Sequence, residues 1–181
     1  MTIKISLEVF RIIFYFVEKW LPSWNTRLNL TSVMQNLLDV HLNPDFWGVR
    51  EHCLEKLRPS HMERLESLIR KYPTLMSGAF FLRSTSRNGT FFSYPDDEVG
   101  DKEVIAWSRI SDDHEILCAT NLNQENYAIV YVTIDDVMHP IDSSMKCLFA
   151  SDLSPAELNI EVRNGKAIRL TIPPHALVIY C

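Results

Sequence analysis

The chain has 181 residues, 46% hydrophobic and 23% charged, with a formal net charge of -5. Nine Phe, six Tyr and four Trp supply ample surface to bury, which excludes a disordered chain. The acidic balance argues against a nucleic-acid partner, and the length falls short of the roughly 200 residues that a (β/α)8 barrel needs.

The first elements read as helices. Residues Val9 to Val17 are apolar apart from Arg11, and Glu18-Lys19 closes the run. It is too short to cross a bilayer, so no transmembrane segment is expected. It also lacks a small-residue cleavage site and makes a poor signal peptide. The compartment stays open, with the cytoplasm slightly favoured. The run reads as a helix buried against the rest of the protein, with a membrane-surface or partner-binding helix as the alternative. Helices are expected over Leu7–Leu21, Ser32–Leu42 and Asp45–Leu57, with breaks at Pro22 and Pro44. Trp20, Trp24, Phe46 and Trp47 belong to this part. A further helix starts at Ser60, where Ser60-His61-Met62-Glu63 has the form of a capping box. Leu65, Leu68, Ile69 and Tyr72 give it one apolar face, and Pro73 ends it.

Beyond Pro73 the pattern becomes strand and turn, and the charge changes with it. Residues 1–75 carry ten Lys/Arg and eight Asp/Glu, whereas residues 76–181 carry eight and fifteen. Ala79–Arg83 and Thr90–Tyr94 flank Asn88-Gly89, a strong hairpin signal because both turn positions accept positive φ. Glu103–Ile110 and Glu115–Asn121 make a second pair, and Asn126–Ile134 and Met145–Ala150 follow. Leu158–Val162 and Lys166–Ile172 flank a second Asn-Gly turn at Asn164-Gly165, and Ala176–Tyr180 closes the series. Eight or nine short strands at this spacing read as an antiparallel sandwich or Greek key. The expected fold class is therefore α+β: an N-terminal helical region (1–75) followed by an antiparallel β-sandwich of Greek-key type (76–181).

Three stretches carry a family likeness. Glu103-Val-Ile-Ala-Trp-Ser-Arg109 followed by Asp113-His-Glu-Ile-Leu-Cys-Ala-Thr-Asn121 resembles the start of the C-terminal β-domain of the α-amylase superfamily (glycoside hydrolase family 13 type). Ile160-Glu-Val-Arg-Asn-Gly-Lys-Ala-Ile-Arg-Leu-Thr-Ile-Pro-Pro-His-Ala-Leu-Val-Ile-Tyr180 is similar to its final strands. Ile69-Arg-Lys-Tyr-Pro-Thr-Leu-Met-Ser-Gly78, then Phe81-Leu-Arg83, resembles the join from the last barrel helix into that domain. The likeness covers about residues 62–181. It implies a sandwich that packs on a catalytic barrel acting on α-glucosidic bonds. The family's catalytic carboxylates lie in the barrel, so no catalytic residue carries over, and this chain alone is expected to be inactive. Residues 1–60 do not read as the strand-helix units that precede the domain in the family.

The remaining chemistry points the same way. Retaining glycoside hydrolysis needs two carboxyls about 5–5.5 Å apart. The acidic groups Asp96-Asp97-Glu98, Asp112-Asp113 and Asp135-Asp136 fall in expected turns, where acids usually cap the backbone or face solvent. His41, His52, His61, His114, His139 and His175 show no ligand spacing, and Cys53, Cys118, Cys147 and Cys181 form no C-x-x-C pair. No metal and no cofactor is expected. Cys118 and Cys147 read as small core residues. No G-x-S-x-G elbow supports serine chemistry. Tyr94, Trp107, Tyr127 and Tyr131 are candidates for sugar contact by ring stacking, with core packing as the competing role, above all for Trp107. Two roles follow. One is a non-catalytic β-domain that supports a barrel, with weak contact to an α-glucan or oligosaccharide. The other is a free-standing glucan-binding or protein-interaction module whose helices cover the sandwich. Expected partners are a glucan, a catalytic barrel, or a second copy of the chain.

Overall fold

The computed structural model describes residues 59–94, 97, 103–112, 114–123 and 125–181. The three helices expected over Leu7–Leu21, Ser32–Leu42 and Asp45–Leu57 lie outside the described residues, as do Trp20, Trp24, Phe46 and Trp47. Helix α1 spans Pro59–Lys71. It is already under way at Pro59, so Ser60 lies within it rather than capping it. Proline suits a first helical position, since its missing N–H would be unbonded there anyway. Leu65 and Leu68 are buried on its apolar face. A single turn, α2 (Thr74–Ser77), follows, and Gly78 N–H donates back to the Thr74 carbonyl. No other residue fits at Gly78, where a Cβ would stand 2.8 Å from the Thr74 oxygen and 2.9 Å from the Ile110 oxygen.

Nine strands make up nearly all of the rest: β1 (Ala79–Arg83), β2 (Thr85–Ser86), β3 (Val104–Ser111), β4 (His114–Asn121), β5 (Ala128–Thr133), β6 (Ser144–Ala150), β7 (Glu157–Val162), β8 (Lys166–Ile172) and β9 (Leu177–Tyr180). All pairings are antiparallel. The strands form one sheet of order β1-β3-β4-β9-β6-β7-β8-β5-β2.

This corrects the expected α+β class and the expected sandwich. The described residues are mostly antiparallel β in one nearly closed, barrel-like sheet, and of the expected helical region 1–75 only the part from Pro59 onward is described. Two features account for the difference. Strand β6 pairs with β7 along Ser144–Lys146 and with β9 along Cys147–Ala150, so it joins what would otherwise be two sheets. The register shift between Cys147 and Phe149 bends β6 where it changes partner. The two edges of the sheet, β1 and β2, are also consecutive in the chain, separated only by Ser84. The sheet therefore curls until its edges meet at that residue. Alternation and turn spacing are the same in both architectures, so the pattern locates strands without saying whether one strand spans two sheets.

Residues from seven strands converge inside the curl: Val104, Leu117, Val130, Met145, Ile160, Leu170 and Tyr180 belong to one core cluster. Each fully buried aliphatic contributes roughly 1.5–3 kcal/mol. Strands β3, β4 and β9 also bury residues of opposite parity, including Ile116, Cys118 and Ile179. Their sequences accordingly lack a clean alternation of apolar and polar residues.

The first expected hairpin forms only in part. Gly89 does take φ +72°, but Thr90–Tyr94 is not a strand. It reaches the fold through one bridge between Thr85 and Ser93. The second Asn-Gly turn, with Asn164 at φ +46° and Gly165 at +85°, joins β7 to β8 as expected.

Candidate functional site

The densest polar constellation is centred on Glu115. Its position follows from strand alternation: it shares parity with Leu117 and Ala119, so it faces the interior. Its side chain is fully out of water. One carboxylate oxygen, Oε1, accepts from Arg83 Nη2 at 2.6 Å and from the Ser108 hydroxyl. The other, Oε2, accepts the Asp135 backbone N–H at 2.8 Å and meets His139 Nε2 at 2.7 Å. Arg83 Nε also donates to Ser108 Oγ at 2.7 Å. Burial pushes the Glu115 carboxyl up. The hydrogen bond with His139, the charge of Arg83 and the bonds from Ser108 and Asp135 outweigh it, and hold the carboxyl below the usual range.

Serine, histidine and a carboxylate thus meet, but in the wrong order for a nucleophile. Activation of a serine requires histidine to touch the hydroxyl, with the carboxylate behind it. Here the carboxylate stands in the middle. Ser108 donates to Glu115, so its hydroxyl proton is held by an acceptor whose basicity the network has lowered. Ser108 is also completely buried. The arrangement suits a structural tie.

The acids expected in turns hold backbone. Asp135 Oδ1 accepts from Val137 N–H at 2.9 Å and Met138 N–H at 3.0 Å. Burial pushes the Asp135 carboxyl up, and these two bonds together with the charges of Arg83 and His139 outweigh it and hold the carboxyl below the usual range. Asp136 accepts the Lys166 N–H at 2.7 Å. Asp97 accepts the Tyr94 N–H at 2.7 Å. Asp112 turns the β3–β4 hairpin at φ +49°. Asp96, Glu98 and Asp113 lie outside the described residues. Among the described residues no group of three or more His, Cys, Asp or Glu could hold a metal ion. None of their helices is long and apolar enough to cross a membrane.

The four candidate aromatics do not share one surface. Trp107 is buried on β3, opposite Leu82 and Cys118. Tyr127 is 56% exposed and Tyr131 half-buried. With Ile129 between them they form an outward stripe that alternates with buried Ala128, Val130 and Val132. The Arg163 guanidinium lies 4.7 Å from the Tyr131 ring centre and that of Arg169 lies 6.0 Å away. Tyr94 is exposed just after the Thr85–Ser93 bridge. Sequence reading passed over Glu115 and Arg83. The signal available was a charged residue in phase with the inward positions of an apolar strand. His175 has φ +54°, in the turn between β8 and β9.

No family model matches the sequence, and no curated protein matches it. Solved structures do. A debranching enzyme from Nostoc punctiforme is similar at 16% identity with a TM-score of 0.45, over 66% of this chain and 20% of that one. An alpha-amylase from H. orenii is similar at 16% identity with a TM-score of 0.42, over 67% of this chain and 19% of that one. The trehalose-6-phosphate hydrolase of Bacillus licheniformis is similar at 18% identity with a TM-score of 0.41, over 67% of this chain and 17% of that one. The chain thus spans a minor part of each, and the solved structures it resembles are α-amylase-family enzymes.

Proposed function

We propose that residues 76–181 form a non-catalytic C-terminal β-domain of an α-amylase-type carbohydrate-active enzyme, one that supports a barrel and makes weak contact with α-glucan. The supporting observation is how the acids are used. Glu115 spends both carboxylate oxygens on four neighbours, and Asp97, Asp135 and Asp136 each accept a backbone N–H. Acids committed in this way hold turns and strands together. They are not poised as a nucleophile and an acid 5–5.5 Å or so apart across a substrate. The sequence likeness adds to this, because two of its three stretches are the β3–β4 hairpin and the run from β7 to β9. In this reading Tyr94, Tyr127 and Tyr131 supply the sugar contact.

The test is turnover of starch and maltooligosaccharides by the full chain. No hydrolysis is expected. Reproducible hydrolysis would overturn the non-catalytic role. A calorimetric titration with maltoheptaose addresses the glucan contact. Heat that disappears in Tyr127→Ala and Tyr131→Ala supports it, and no heat at millimolar sugar removes it.

A second reading, a free-standing binding module, is favoured by one observation. Strands β3, β4 and β9 bury residues of both faces within this single chain. Light scattering separates the two: a stable monomer favours the free-standing module, and concentration-dependent association favours a domain with an uncovered face.

A further inference from the structure

The two Asn-Gly turns share a dipeptide and differ in chemistry. In any Asn-Gly pair the glycine has no side chain to shield its backbone nitrogen from the asparagine Cγ. At the first turn that attack is blocked. Asn88 Oδ1 accepts three hydrogen bonds, from Ser86 Oγ at 3.0 Å, Thr90 N–H at 2.9 Å and Phe91 N–H at 3.1 Å. The Gly89 N–H donates to Ser86 Oγ at 2.9 Å, and Ser86 is only 3% exposed. Gly89 is buried and packs against Tyr131 and Arg163, which stand 3.0 and 3.1 Å from where its Cβ would be. Electrophile and nucleophile are both held in other bonds.

At the second turn neither is held. Asn164 and Gly165 are exposed. The Asn164 side chain and the Gly165 N–H make no hydrogen bond among the described residues. The bonds around the turn pass them by: Arg163 N–H donates to the Gly165 carbonyl at 3.0 Å, and Lys166 N–H donates to Asp136 Oδ1 at 2.7 Å.

We propose that Asn164 is a site of spontaneous covalent modification by deamidation, and that Asn88 is protected by its turn. The Gly165 amide loses its proton to hydroxide and its nitrogen attacks Asn164 Cγ. The bond from Cγ to the side-chain nitrogen breaks and ammonia leaves, giving a five-membered imide. Water then opens either carbonyl, giving aspartate or isoaspartate. Aspartate sets a new carboxylate next to the glycine that Asp136 already packs against. Isoaspartate reroutes the main chain through a methylene and lengthens the loop between the paired residues Val162 and Lys166. Either product loosens the β7–β8 hairpin and the Lys166–Asp136 bond.

The test is incubation of the full chain at mildly alkaline pH, followed by peptide mass mapping and enzymatic methylation of isoaspartate. In the native chain Asn164 is expected to convert roughly tenfold or more faster than Asn88, because several hydrogen bonds must first break at Asn88. In denaturant the two rates should converge, and Ser86→Ala should raise the native rate at Asn88 alone. Equal native rates would overturn the proposal. So would a difference that persists in denaturant, or an Asn164 that converts only when the chain is unfolded.

Discussion

Arg83 Nη2 stands 2.6 Å from Glu115 Oε1, and this contact joins the edge of the sheet to its third strand. The other oxygen of Glu115 reaches Asp135 and His139, in the connection between β5 and β6. Strand β5 lies near the opposite end of the strand order, next to β2. One side chain therefore crosses the interior and ties the two ends of the sheet together, where backbone pairing stops at Ser84. Removing one partner of such a buried pair leaves an uncompensated charge. Glu115→Gln is expected to destabilise the fold by about 3–5 kcal/mol in urea unfolding. The double variant Arg83→Met with Glu115→Met should lose clearly less than the sum of its single variants. Additive losses would mean that the two residues do not act as a unit.

The same network sets an acid limit. The folded Glu115 carboxyl titrates below its unfolded value, because the His139 bond, the Arg83 charge and the Ser108 and Asp135 bonds outweigh burial. A lowered pKa means that the ionised form is favoured in the fold. The stabilisation is present in full above the unfolded glutamate pKa of about 4.3, and it is lost as pH falls through the lower folded value. Asp135 shifts in the same direction and adds to the effect. Thermal unfolding followed from pH 7 downward should show the midpoint falling in this acid window. The slope should be shallower in Glu115→Gln. Parallel slopes in the two proteins would contradict the assignment.

Local order was legible in the sequence, and global closure was not. The β3–β4 hairpin, the Asn164-Gly165 turn and the β7, β8 and β9 strands follow from alternation and turn chemistry, which act over a few residues. The pairing of β6 with both β7 and β9 depends on a bulge at Cys147–Phe149, and nothing in that stretch marks it as a bulge. Thr90–Tyr94 looked like a strand because it is aromatic, yet Phe91 is 78% exposed and only Ser93 is bridged. There β-propensity lacked a neighbouring strand to pair with. Among the site residues, the turn caps made by Asp97 and Asp135 were legible because capping is local, whereas the bond from Asp136 to Lys166 spans 30 residues and was not. The partners of Glu115 were not, since Arg83 and His139 lie 32 and 24 residues away in the chain.

Cys118 should behave as a core side chain rather than a reactive thiol. It is 3% exposed on β4, and burial pushes its thiol up to about 12, against a smaller opposing pull from Arg109. Since the thiolate is the nucleophile, reaction requires both exposure and deprotonation. In the native protein at pH 8 maleimide should label Cys118 far more slowly than the partly exposed Cys147 and Cys181. Labelling of Cys118 should appear together with unfolding. Fast native labelling, read by peptide mapping, would place this residue in a more open environment than the structure gives it.

Asn121 closes the opposite end of β4, where its side-chain amide is held on both its nitrogen and its oxygen. It is 1% exposed. Its Nδ2 donates to the carbonyls of Asn126 at 2.9 Å, Ile172 at 3.1 Å and Pro173 at 3.2 Å, and its Oδ1 accepts the Asn123 N–H at 2.9 Å. The three carbonyls belong to the approach to β5 and to the end of β8, so one side chain pins two connections to β4. Asn121→Ala leaves these acceptors and the Asn123 donor without a partner in a dry site, at a cost of about 2–4 kcal/mol. Asn121→Asp should cost at least as much, although it keeps the shape, because it turns a donor into an acceptor facing carbonyl oxygens. If Asn121→Asp proved milder than Asn121→Ala in chemical denaturation, shape rather than hydrogen bonding would be the main contribution of this residue.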